Sequence, residues 1–211
     1  MTTPLRWVHA PQQARSQRTM ENILDAAERI LLERGLDAVT IPEVVKAAGS
    51  SVGAFYTRFP DKRALLETLH QRACERSLTQ AGELLDPARW ADASVRDLVR
   101  AGVKLAVEVF GSRRNIMNAF AEAFAGDPGF AARRASTALA IGERLSALVL
   151  SKRSEIGHPQ PRRAVEMALR VVTATFEQRN AFAVSALPEV AIADAVLARE
   201  LERMLCAYLG V

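Results

Sequence analysis

Between Thr40 and Lys62 the chain reads TIPEVVKAAGSSVGAFYTRFPDK, an order of residues that few folds accommodate. Thr40 stands as a helix N-cap with Glu43 three residues later, the spacing at which hydroxyl and carboxylate satisfy each other's backbone donors in a capping box. Pro42 falls in the first turn, where its missing N–H does no harm. Ile41, Val44, Val45 and Ala48 give this helix an inward side, and Gly49 supplies the permissive backbone that ends it. Ser50 and Ser51 follow as candidate caps for a second helix, whose buried side is marked by Phe55 and Phe59, four residues apart. Phe59-Pro60-Asp61 then closes that helix, and Asp61 caps a third.

The outer side of the second helix carries Val52, Gly53, Ala54, Tyr56, Thr57 and Arg58. Small side chains let a backbone come close to a duplex, while hydroxyls and a cation meet phosphates, so this is the surface a groove-binding helix needs. Lys62 stands near the start of the next helix and faces the same way.

The string T-I-x-E-V-V-x-A-A-G-S-S-x-G-A-F-Y-x-x-F-x-D-K resembles the DNA-binding region of the TetR family of bacterial transcriptional regulators, over about Arg18 to Leu69. That resemblance implies an all-α protein. Residues 1–16 would be a basic arm and 17–77 a three-helix DNA-binding domain with its helix-turn-helix at 40–59. Residues 78–211 would form a helical ligand-binding and dimerisation domain. It implies a homodimeric cytoplasmic regulator, most often a repressor, that reads a palindromic operator and is released by a small apolar or cationic effector. Thr40, Ser50, Ser51, Tyr56, Thr57, Arg58 and Lys62 would meet phosphates, Arg18 and the arm phosphates or a minor groove, and Val52, Gly53 and Ala54 base edges. The chain departs from the family pattern at Ser50, where an apolar residue is commoner, at Val52, often Lys or polar, and at Ala54, often Thr or Asn. A valine can touch a thymine methyl but forms no bidentate bond to guanine.

Composition agrees without adding specificity. Apolar residues make up 49% of 211, enough for a packed core, and the formal charge of +4 suits a polyanion without demanding one. The charge is local: from Met1 to Met20 the charged residues are Arg6, Arg15 and Arg18, with no acid. Cys74 and Cys206 lie far apart with no CxxC, which reads as two thiols in a reducing compartment. No run approaches the roughly 20 apolar residues of a membrane span. No cofactor or metal is expected.

Ahead of the motif, Ile23, Ala26, Ala27, Ile30 and Leu31 predict a helix from Met20 to Arg34, stopped by Gly35. Beyond it, a helix from Asp61 toward Leu85 would connect to a second domain. Apolar spacing then predicts helices over Ser94–Phe110, Asn115–Ala125 and Phe130–Arg153, with a strong turn at Gly126-Asp127-Pro128-Gly129. Two final helices, Arg162–Ala186 and one starting at Pro188, carry wide apolar faces that hint at self-association. Val172, Leu197, Leu201, Met204, Leu205 and Tyr208 are the interface candidates, matching the paired helices of the family's dimer.

Six of the eight phenylalanines lie between Phe110 and Phe182. Phe110, Met117, Phe120, Phe124 and Phe176, with Glu177 and Asn180, are the candidate ligand-binding residues, although rings at helical spacing also simply fill cores. Three other functions stay open: a constitutive DNA-binding regulator with a filled core, an activator, and an all-helical enzyme on a small apolar substrate. Against the enzyme, the chain has no GxGxxG, P-loop or HExxH, and His9, His70 and His158 are scattered.

Overall fold

The computed structural model describes residues 9–108, 119–121, 123–181 and 192–211, and every regular element among them is helical. The helices are α1 (His9–Arg34), α2 (Ile41–Ala47), α3 (Val52–Tyr56), α4 (Lys62–Leu84), α5 (Val95–Val107), α6 (Pro128–Ser151), α7 (Pro161–Ala181) and α8 (Asp194–Leu209). The described residues up to Ala73, with those between 119 and 125, form one compact unit; the others form a second.

In the first unit, Ile23, Ala26, Ala27, Ile30 and Leu31 of α1 are buried, as are Val39, Val44, Val45, Phe55, Phe59 and Leu65. Each large apolar side chain taken out of water there contributes about 1.5–3 kcal/mol. Gly35, at φ +81°, ends α1 in the left-handed region, as its place in the sequence predicts. Helix α1 starts at His9, well before Met20, so half of the stretch read as an arm continues the first helix. Arg6 lies outside the described residues.

The same unit is tied by charge. Arg72 on α4 reaches back to Asp25 at 2.6 Å and to Glu28, both on α1, and Arg34 pairs with Glu43 at 2.8 Å.

The second unit has a core of Val95, Leu98, Val99 and Val103 from α5, Leu148 and Val149 from α6, Val165 and Ala168 from α7, and Leu201, Leu205 and Leu209 from α8. Helix α5 begins on a full capping box: Ser94 Oγ accepts from the Asp97 N–H, and the Asp97 carboxylate accepts from the Ser94 N–H. The Ser94 hydroxyl, donating to the Asp97 carboxylate at 2.6 Å, and then the Ser94 N–H hold the Asp97 carboxyl below its usual pKa. Gly210, at φ +75°, caps α8, and its backbone passes so near Gly157 that a Cβ on Gly157 would stand 3.1 Å from Gly210 O. The His158 N–H donates to Leu209 O at 3.1 Å across this closure. Cys206 is buried, which pushes its thiol pKa up.

Sequence and structure agree on α4, which runs through Gly82 without a break, and differ at the last helix, which begins at Asp194, six residues past Pro188. The remainder of the expected 94–110, 115–125 and 162–186 helices lies outside the described residues.

Candidate nucleic-acid interface

Helix α2 starts on Thr40, whose Oγ1 accepts from the Glu43 N–H at 3.4 Å. The returning half of the expected capping box is not made. Glu43 turns outward to Arg34, and the Thr40 N–H donates to Ala38 O at 2.9 Å instead. A guanidinium partner holds more charge than one amide donor, and the Arg34 hydrogen bond and charge keep the Glu43 carboxyl below its usual pKa.

The bend lies at Gly49, as expected, with φ +59°. Ser51, not Ser50, caps α3: its Oγ accepts from the Ala54 N–H at 3.1 Å, while the Ser50 N–H closes the end of α2 on Val45 O. Five residues make too short a helix to persist alone, so α3 depends on its anchors. Phe55 is wholly buried and Phe59 nearly so, with ring centroids 5.4 Å apart.

The opposite side of α3 is open to solvent. Val52 is 48% exposed and Tyr56 54%, Ser51, Gly53 and Thr57 are exposed, and Ala54 is half-buried. Gly53 has an ordinary φ, and a Cβ placed on it would meet only Ser51 Oγ, at 3.9 Å. Among the described residues nothing requires a glycine there.

The polar candidates divide into those facing solvent and those already bonded. Arg18 is exposed on α1, and Thr40 is exposed at its cap. Ser50 is half-buried. The Thr57 hydroxyl donates to Gly53 O at 2.8 Å. Lys62 is half-buried with Nζ 3.3 Å from Leu36 O, a carbonyl in the α1–α2 link. The Arg58 guanidinium donates to Ala54 O at 2.7 Å and to Ser16 O and Oγ, on α1. Sequence spacing gives no sign of that last bond, since its partners are 42 residues apart.

The aromatic candidates divide between the two units. Phe120 and Phe124 are buried in the first unit, where Phe120 meets the fully buried His70 edge-on at 5.2 Å and the Arg63 guanidinium lies 5.2 Å from the Phe124 ring centre. Phe176 is buried in the core of the second unit. Phe110 and Met117 lie outside the described residues, as do the side chains of Glu177 and Asn180. The second unit does hold a half-open apolar pocket of about 50 Å³, lined by Leu98, Gly102, Leu145, Val165, Leu169 and Val172 among others.

The other interface candidates separate by depth. Leu201 and Leu205 are buried in the subunit's own core, with Leu197 packed against it. Met204 at 59% exposure and Tyr208 remain outside, joined by Met167 on α7. Among the described residues no group of three His, Cys, Asp or Glu side chains could hold a metal, and no helix is long and apolar enough to cross a membrane.

Comparison with known proteins places these features. The family profile described as "Bacterial regulatory proteins, tetR family" matches residues 23–69. The HTH-type transcriptional repressor BepR of Brucella suis is 31% identical over 99 residues, 47% of this chain and 46% of that protein. The HTH-type transcriptional regulator EthR of Mycobacterium tuberculosis is 32% identical over 97 residues, 46% and 44% of the two chains. The chain therefore spans less than half the length of these curated relatives. The solved structure of Salmonella enterica GusR superposes with a TM-score of 0.60 at 26% identity, over 92% of this chain and 96% of that one. Residues 23–69, with their helix-turn-helix at α2–α3, thus match the tetR family of bacterial regulatory proteins, and the all-helical fold is similar to that of GusR.

Proposed function

We propose that this protein is a cytoplasmic transcriptional regulator that binds a palindromic DNA operator as a homodimer, acting as a repressor that a small apolar or cationic molecule releases. The observation that carries this reading is the two-sidedness of α3: Phe55 is wholly buried beneath it, while Val52, Gly53 and Tyr56 stand open. A glycine in a helix is less favourable than alanine by about 1 kcal/mol, and at Gly53 no contact among the described residues offsets that cost. Close approach of an outside body, here the floor or wall of a major groove, accounts for it. In this reading Tyr56, Ser51 and Thr40, all exposed, meet phosphates, and the exposed Arg18 on α1 extends the basic surface.

Exposed Met167, Met204 and Tyr208 give α7 and α8 an apolar surface suited to a second copy of the chain. Two α3 helices in such a dimer read half-sites about one helical turn, ~34–36 Å, apart. No catalytic step belongs to this reading.

A second reading, a regulator with no effector, is favoured by the size of the pocket. At about 50 Å³ it is well below the roughly 300–1,000 Å³ of sites that enclose a drug-sized ligand, so an effector must open it further. Footprinting on DNA from upstream of the protein's own reading frame tests the main reading. Two protected half-sites one turn apart support it, and uniform weak protection contradicts it. A ligand screen by thermal shift, followed by release of bound DNA, separates the effector-controlled regulator from the constitutive one.

A further inference from the structure

We infer that Arg58 is a positioning residue for α3: its guanidinium fastens the end of that helix to α1 at Ser16 and is not spent on a DNA phosphate. The inference deepens the DNA-binding reading and rests on it for its effect on affinity. The bonding pattern carries it. At the end of α3 the Arg58 N–H turns to Phe55 O at 2.8 Å, and the side chain of the same residue supplies a donor to Ala54 O, with Nη1 at 2.7 Å. The last carbonyls of a helix need such outside donors, and in a helix of five residues they form much of the structure. The rest of the guanidinium faces the other way, with Nε 3.3 Å from Ser16 O and Nη2 3.3 and 3.1 Å from Ser16 O and Oγ. All three guanidinium nitrogens therefore donate within the chain, to two different helices.

Such a clip sets the roll of α3 about its Phe55 and Phe59 anchors. Those two rings hold the helix in but, lying along one side, do little to stop it turning; a bond to α1 at its end does. A planar fork can span the two acceptors at once, whereas the compact ammonium of lysine cannot.

The experiment uses the full-length protein with Arg58→Lys and Arg58→Ala, and two readouts. In the first, operator affinity is measured across salt. Both variants are expected to weaken binding by roughly tenfold, the scale of losing charge-assisted hydrogen bonds, with the log–log salt slope unchanged. A lost phosphate contact would instead lower the slope by about 0.9 and would be rescued by lysine. In the second, amide hydrogen exchange is followed without DNA, and amides from Phe55 to Phe59 are expected to exchange faster in both variants. A reduced slope rescued by Arg58→Lys, or unaltered exchange in both variants, overturns the clip. Should the wild-type protein show no specific DNA binding, the functional reading fails, and the exchange comparison still decides the role of Arg58.

Discussion

Phe55 and Tyr56 are neighbours in sequence whose rings meet edge-on, centroids 5.4 Å apart at 87°, yet the first is wholly buried and the second more than half exposed. One residue of helix rotation separates the anchor of α3 from its presented face. The two positions should therefore respond in opposite ways. Phe55→Ala leaves a cavity in the first unit and is expected to cost about 3–5 kcal/mol of stability, seen in denaturant unfolding. Tyr56→Ala is expected to change stability by less than about 1 kcal/mol while removing specific operator retention in a mobility shift.

Gly53→Ala separates folding from binding. The added methyl meets only Ser51 Oγ at ordinary contact distance, and the backbone needs no left-handed φ. Thermal unfolding should show equal or slightly greater stability, by up to about 1 kcal/mol, while operator affinity falls because the methyl stands on the face offered to the groove. Unchanged affinity would remove Gly53 from the interface.

On α8 the depth of each side chain sets the outcome. Met204→Glu introduces charge on an exposed apolar face and is expected to leave the subunit folded but shift sedimentation toward monomer. Leu205→Ala, in the core that α5, α6, α7 and α8 share, is expected to cost about 2–5 kcal/mol of subunit stability. A Met204→Glu variant that sediments like wild type would move the dimer surface elsewhere.

The Arg34–Glu43 pair gives the first unit a pH signature. Its folded-state carboxyl pKa lies below the ordinary 4.5, so the unfolded chain binds the proton more readily than the folded one. The pair therefore contributes stability above about pH 4.5, and the contribution is lost as pH falls through the depressed folded value. Glu43→Gln should flatten that part of the stability profile below pH 4.5 without altering it near neutrality beyond a small constant offset.

The helix-turn-helix was legible because its signals are local. A glycine where the chain must turn at positive φ, hydroxyls three residues ahead of the amides they cap, and two phenylalanines one turn apart all act within a single helix or turn. The errors came where a side chain chooses between partners distant in sequence. Glu43 is a correct residue for a capping box, and only the fold brings Arg34 near enough to take it away. Phe120 and Phe124 read as interior rings and are interior, but periodicity says that a ring is buried without saying against what, and only the fold shows them beside His70 and Arg63. Likewise the apolar stripe of α8 could not reveal that Leu201 and Leu205 face the subunit's own core while Met204 stands outside.

The most direct test of the central claim is operator affinity measured as log Kd against log salt, wild type beside Tyr56→Ala. The structure predicts a steep linear dependence for the wild type, about 0.9 for each phosphate neutralised, and loss of the specific over the non-specific component in the variant. Binding that ignores salt, or a Tyr56→Ala protein that discriminates the operator as well as wild type does, would contradict the account.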